Sequence, residues 1–309
     1  MARRMIWAGL LVLMLLAAWP LAEALRRPMA ARARSEAPGE IAALPRGRTH
    51  LVWEGPAEGP VVVLLHGLTI GSHMLDRLAG GLAARGYRVL RYDLYGRGFS
   101  DRPRGPQDRA FFLSQLEALL EARGVGGDLT LVGYSMGGAI LTAFAAAHPG
   151  RVRQLVLLAP AGLGQTPPRL ADMAVRLPGV GDWLMAVIGA VVLRRMARAA
   201  DRAYGLPGTL IAAQGAETRY RGFLPAVLSS MRHMLAEDLS EAHRRLAEAG
   251  VPVLAIWGGQ DEVIAAGAGA GLAAINPAAR QLLLPEAGHG LPVTHADAIL
   301  AEIPAAPAQ

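Results

Sequence analysis

Residues 130–139 read TLVGYSMGGA and set Ser135 between Gly133 and Gly137. Leu129 to Val132 read as a short buried strand and Ala139 to Ala147 as a helix of small residues, which leaves Gly133 to Gly137 for the reversal. At the two glycines any Cβ would press on the neighbouring strand or helix, so their spacing has a steric cause. The serine between them is forced into a strained backbone conformation that lifts its hydroxyl above the end of the strand. A hydroxyl so placed is a nucleophile once a base takes its proton, and the base in turn needs an acceptor to fix its tautomer. The pentapeptide alone fits a glycine-rich connection with an idle serine equally well, so its context decides. A phosphate-cradling loop is a weaker rival, because the chain has no G-x-x-x-x-G-K-[ST] and no lysine.

Partners for Ser135 must come from other strand ends on the same edge of a sheet. The run VPVLAIWG is followed by GQDEV, which puts Asp261 just past a strand, with Glu262 beside it as the rival acid. RQLLLPEAG is followed by His289, in a loop after the last strand. Short apolar runs at 49–53, 61–65, 87–92, 129–132, 152–158, 251–257 and 280–284 alternate with helical patterns at 74–85, 111–123, 139–148 and 265–274. This alternation predicts an α/β protein with a mostly parallel central sheet and helices on both faces. The interval from 158 to 251 breaks the rhythm and reads as an insertion, a helical lid over 163–250. Within it Asp182 can N-cap the apolar run WLMAVIGAVVL. That run is too short to span a membrane and is expected to wall an apolar pocket above Ser135, with Trp183, Met185 and Ile188 as substrate contacts. The hydrolase core is then split into 49–162 and 251–309.

Four ordered motifs carry a resemblance. LLHGL at 64–68, YDLYGRGFSDRP at 92–103, the elbow around Ser135, and the paired loops WGGQD and AGHG make the chain, over about residues 50–303, similar to the α/β-hydrolases of the esterase, lipase and C–C hydrolase group, including monoacylglycerol-lipase-like members. The order Ser135, Asp261, His289 is that family's triad order. The resemblance implies an oxyanion hole formed by the backbone N–H groups of Leu68 and Met136, favours Asp261 over Glu262 as the acid, and gives His66 the role of shaping the oxyanion loop. Asp93 is expected to stabilise the turn that follows it. The stretch GLPVTHADAIL after His289 departs from the pattern, lacking the acidic residue and proline often found there. The implied activity is a cofactor-free serine hydrolase cleaving carboxylic esters of apolar substrates through an acyl-enzyme. C–C bond hydrolysis and cofactor-free perhydrolysis or haloperoxidation share the same triad, whereas dehalogenase and epoxide hydrolase chemistry use an aspartate at the elbow in this family. A catalytically silent, membrane-tethered binding protein is the reading from a different class.

Composition bounds the partners. The chain of 309 residues is 52% hydrophobic and has no cysteine, so disulfides and thiolate metal sites are excluded. His73, His148, His233, His243 and His295 have no metal-ligand spacing and are expected at surface or capping positions, with His243 and Arg244 as further candidates for substrate contact in the lid. Residues 1–34 hold six arginines and Glu23, a net +5 of the chain's +6, so the basicity is local and no nucleic-acid surface is expected. Arg3 and Arg4 precede an apolar run from Met5 to Ala22, so residues 1–25 read as a membrane-targeting segment followed by a linker over 26–48. Four arginines beyond the run against two before it favour an uncleaved anchor, while Ala22-x-Ala24 permits export after signal cleavage. The oligomeric state is left open.

Overall fold

A computed structural model describes residues 2–35, 37–163, 169–264 and 267–307. Eight strands form one sheet: β1 (Glu40–Leu44), β2 (Gly47–Glu54), β3 (Val61–Leu65), β4 (Arg88–Tyr92), β5 (Leu129–Tyr134), β6 (Val152–Leu158), β7 (Val253–Gly258) and β8 (Arg280–Leu284). Their order is β1-β2-β4-β3-β5-β6-β7-β8. Pairing is parallel from β4 through β3, β5, β6 and β7 to β8, and antiparallel for β1 with β2 and β2 with β4. Every residue of β5 and β7 is buried, as strands covered on both faces must be.

In chain order the helices are α1 (Ala2–Ala24), α2 (Ala31–Arg34), α3 (Asp76–Ala84), α4 (Arg109–Ala122), α5 (Met136–Ala147), α6 (Arg169–Arg176), α7 (Val180–Ala203), α8 (Thr209–Glu217), α9 (Phe223–Arg232), α10 (Ser240–Glu248), α11 (Ala268–Ile275), α12 (Leu291–Thr294) and α13 (Ala296–Glu302). Helix α4 begins where its side-chain cap allows: Asp108 accepts the Phe111 N–H at 2.8 Å. Helices α6 to α10 fill the interval between β6 and β7, where the lid is expected; residues 164–168 of that interval, and residues 265 and 266 of the expected alanine-rich helix, lie outside the described residues.

One expectation changes. The span 26–48 is more than a linker, since β1 pairs with β2 in register from Glu40↔Leu51 to Leu44↔Gly47, closing a hairpin across Pro45 and Arg46. The strand was masked by its sparse pattern, for only Ala42 and Leu44 turn inward. Among the described residues no helix is long and apolar enough to cross a membrane. The end of α1 is bonded to the cap. Glu23 accepts the Gly222 N–H at 3.0 Å, Arg221 donates to the carbonyls of Glu23 and Ala24 at 3.1 and 2.6 Å, and Arg26 donates to Ala186 O at 2.9 Å. The chain then runs beside the cap, with Arg27 N–H on Arg219 O at 2.9 Å and Arg221 N–H on Arg27 O at 2.8 Å. It next fixes to the core through Arg34, whose Nε donates to Phe99 O at 2.9 Å and whose Nη2 pairs with Asp101.

Candidate active site

Ser135 sits at the joint of β5 and α5 with φ 52° and ψ −118°, a conformation that side-chain-bearing residues adopt only under strain. The flanking glycines explain how the joint closes. A Cβ at Gly137 would stand 2.4 Å from Leu65 O, and one at Gly133 would stand 2.7 Å from Gly137 O. The elbow therefore packs its own backbone against the end of β3, which carries the loop with Gly67 and Leu68.

His289 arrives from the loop after β8 and Asp261 from the loop after β7. Nε2 of His289 is 3.1 Å from Ser135 Oγ, and its Nδ1 is 2.8 Å from Asp261 Oδ2. The carboxylate accepts the Nδ1–H, which leaves Nε2 as the acceptor for the serine O–H. Asp261 is itself held, since its Oδ1 accepts the backbone N–H groups of Val263 and Ile264, each at 2.8 Å. The two loops are stitched by backbone bonds, Gly259 N–H to Leu284 O and Gln260 N–H to Ala287 O, both 2.9 Å. Gly258 and Gly259 permit this approach, because a Cβ on either would come within 2.5 Å of a carbonyl oxygen of the histidine loop. Glu262 points to solvent.

Met136 follows Ser135 in the chain, and Gly67, the residue before Leu68, approaches it, since a Cβ on Gly67 would stand 3.4 Å from the Ser135 Cβ. Met136 is the first residue of α5, where N–H groups precede the helical ladder and the helix dipole is positive. The Leu68 peptide is oriented by His66, which is fully buried: its Nδ1–H donates to Gly67 O at 2.8 Å and its Nε2 accepts the Leu94 N–H at 2.9 Å. A trans peptide directs its N–H opposite to its C=O, so fixing Gly67 O fixes the direction of the Leu68 N–H. Burial pulls the His66 pKa down to about 4, which keeps the ring neutral. Asp93 closes the turn expected of it, accepting the N–H groups of Ser72 and Phe99 at 2.7 and 2.9 Å and the ring of His50 at 2.7 Å.

The cap supplies contacts that sequence reasoning did not find. Phe223, Leu224 and Val227 of α9 form a buried cluster against which Leu68, Met185 and Leu193 pack, so an apolar surface of the cap meets the loop that carries Leu68. Met185 belongs to that surface, whereas Ile188 is 40% exposed. On a 3.6-residue period Ile188 falls away from the buried side of α7 that carries Ala186 and Gly189, which corrects its assignment as an inward contact. Trp183 is half-buried. Asp182 lies at the third position of α7 rather than before it, where it accepts the Gly179 N–H at 2.8 Å and pairs with Arg232 at 3.0 Å. Tyr204, at the end of α7, lays its ring across Gly288 and Gly290 and accepts the Gly290 N–H at 3.3 Å, so the histidine loop touches the cap directly. On the other side of His289, the Tyr134 ring lies 5.1 Å away, centroid to centroid. His243, expected at a surface or in substrate contact, is fully buried on α10 with no partner for either ring nitrogen among the described residues. The same residues hold no cluster fit for a metal ion.

Comparison with known proteins follows this geometry. Residues 60–296 match the family model for the alpha/beta hydrolase fold. The chain is similar to a cis-3-alkyl-4-alkyloxetan-2-one decarboxylase of Xanthomonas campestris pv. campestris, 28% identical over 227 residues that cover 67% of this chain and 75% of the relative. It is also similar to Lipase 1 of Psychrobacter immobilis, 26% identical over 239 residues, 76% of this chain and 73% of the lipase. The enol-lactonase of Burkholderia xenovorans LB400 superposes with a TM-score of 0.72 at 23% identity, over 85% of this chain and 97% of the lactonase, a likeness of fold. With the family model spanning strands β3 to β8, the elbow and both partner loops, the chain belongs to the α/β-hydrolase fold family of enzymes.

Proposed function

We propose that the protein is a serine hydrolase that cleaves carboxylic esters of apolar substrates through an acyl-enzyme on Ser135. The observation that carries this reading is the unbroken line of hydrogen-bonding groups from Ser135 Oγ through His289 to Asp261. In the reaction, His289 Nε2 takes the serine proton as Oγ attacks the ester carbonyl, and the oxyanion that forms faces the N–H groups of Leu68 and Met136. Collapse expels the alcohol, which leaves with the proton from His289. Water then gives a proton to Nε2 and attacks the acyl carbon; the second collapse releases the acid and returns the proton to Ser135.

Among the relatives one is named a lipase, which supports ester hydrolysis, and another is named a decarboxylase of an oxetan-2-one, a cyclic ester. The apolar surface around Phe223, Leu224, Val227 and Met185 supports an apolar acyl or alkyl group. The amino-terminal helix, with Ile6, Trp7 and Met14 exposed, supports association with a membrane surface, where such substrates reside. A fluorophosphonate probe should label the wild-type serine and fail on Ser135→Ala. Hydrolysis of a short aryl ester should be lost in Ser135→Ala and nearly lost in His289→Ala. The double variant should be hardly worse than either, because the residues act as a unit. Failure of the wild type to be labelled or to hydrolyse any ester overturns the reading.

A further inference from the structure

Arg97 is fully buried, yet among the described residues no carboxylate bonds to it. A guanidinium in that position is costly unless each of its N–H groups finds an acceptor. Here all five have one. Nε donates to Leu68 O at 2.8 Å; Nη1 donates to Tyr95 O at 2.9 Å and to Gln107 Oε1; Nη2 donates to Ser230 Oγ at 2.8 Å and to Ala226 O at 3.4 Å. The acceptors fall into two groups. Leu68, Tyr95 and Gln107 belong to loops of the hydrolase core, whereas Ala226 and Ser230 belong to α9 of the cap.

We propose that Arg97 is a positioning residue for the oxyanion hole, tying the Leu68 carbonyl to helix α9 so that the seating of the cap sets the geometry of the Leu68 N–H. The proposal rests on the serine-hydrolase reading, in which that N–H is a donor to the oxyanion. His66 holds the peptide before Leu68 by its Gly67 carbonyl, and Arg97 holds the peptide after it, so the donor sits between two fixed carbonyls. Of these two holds, only the one through Arg97 extends into the cap. A second cap group lies over the same loops: Glu217, at the end of α8, accepts the Gly71 N–H at 3.1 Å and the Gly98 N–H at 2.9 Å. The close seat is built in at Gly96, where a Cβ would stand 2.4 Å from the Ala226 side chain. Burial draws the Arg97 pKa down to about 9, so the group still carries its charge at neutral pH.

The test compares Arg97→Lys, Ser230→Ala and Ser230→Thr in the full-length protein, on a short aryl ester that needs no cap contact. Lysine keeps the charge and loses the fork that reaches both groups of acceptors. Arg97→Lys should lower kcat by about 100-fold, the size of effect expected when an oxyanion donor is displaced, with KM changed less than about twofold. Ser230→Ala removes the shorter of the two cap bonds of Arg97, together with the hydroxyl's bond to Gln107 Oε1 at 2.7 Å, and should lower kcat by about tenfold; Ser230→Thr, which keeps the hydroxyl, should restore it. Binding of a trifluoromethyl ketone, whose serine adduct carries an oxyanion, should weaken by the same factors as kcat/KM. If Arg97→Lys does not fold, the two Ser230 variants decide alone. Variants that lose thermal stability but keep wild-type kcat and ketone binding overturn the proposal and leave Arg97 a purely structural group. A wild type that hydrolyses no ester and binds no ketone overturns the serine-hydrolase reading, and this inference with it.

Discussion

Nδ1 of His289 stands 2.8 Å from Oδ2 of Asp261, whose side chain is 1% exposed, while Glu262 next to it faces water. The carboxylate therefore selects the tautomer that leaves Nε2 free for Ser135. Asp261→Asn keeps the shape and donates the wrong way, so kcat on a short ester should fall by about 10⁴-fold. Glu262→Gln should leave kcat at the wild-type value. Steady-state kinetics on the two variants checks both, and a larger loss in Glu262→Gln would move the acid by one residue.

Strain at the elbow gives a stability prediction that is independent of catalysis. Ser135 is held at φ 52°, where a Cβ is disfavoured and glycine is not. Ser135→Gly should therefore be more stable than Ser135→Ala by about 1 kcal/mol, both variants having lost the hydroxyl. Denaturant unfolding of the pair measures the difference, and equal midpoints would show that the elbow stores no strain.

Acid should weaken the fold through its buried histidines. Burial pulls both His66 and His243 down from 6.5 to about 4. Between those values the unfolded chain takes up protons that the native one refuses, so their contribution is complete above pH 6.5 and is lost as pH falls towards 4. His243→Leu should flatten the fall by up to about 1.4 kcal/mol per pH unit. At pH 7 it should cost nothing, since neither ring nitrogen has a partner to lose among the described residues. Glu217 has the opposite sign: burial raises it to about 7, so its contribution is present below pH 4.5 and is lost as pH rises to 7. Glu217→Gln should thus steepen the acid fall over that range. Unfolding free energies of the three proteins from pH 4 to 7.5 test both signs.

In the cap, Met185 and Ile188 should separate cleanly. Met185 packs on the cluster that meets Leu68, so Met185→Glu should raise KM and lower kcat/KM for medium-chain esters by about tenfold or more, with far less effect on acetate esters. Ile188→Glu, at an exposed position, should change neither. Equal losses on both ester classes in Met185→Glu would mean that the change acts through folding rather than through substrate fit.

The site was legible where local sterics write it into the chain. The glycines around Ser135, and those in WGGQD and AGHG, stand where a neighbouring backbone or the Tyr204 ring excludes a Cβ, so their spacing reports loop packing before any fold is known. The parallel strands were legible as apolar runs for the same local reason. What could not be read depends on partners far away in sequence. The contacts of Tyr204 with the histidine loop and of Arg97 with α9 join segments separated by 86 and 133 residues. No periodicity within α7 or α9 marks those contacts. Strand β1 offers only two inward residues, and the apolar run of α7 is buried on one side only, so neither pattern distinguished strand from linker or Met185 from Ile188.

The amino-terminal segment is fastened to the cap from Glu23 to Arg27 and to the core at Arg34 before it enters the sheet. It is therefore a leash, and its length limits how far the cap can lift while both ends stay fastened. Fully extended, the chain from Arg27 to Arg34 reaches about 24 Å. Part of that reach is coiled in α2, a helix of 4 residues; unwinding it from 1.5 to about 3.4 Å per residue would release about 8 Å. Cutting the chain after Ala24 would remove α1 with Glu23 and leave this leash in place, because Arg26 and Arg27 keep their own bonds to the cap. Loss of the apolar helix and freedom of the cap are thus separable, and only a cut between Arg27 and Arg34 would let the cap swing without restraint from the amino terminus.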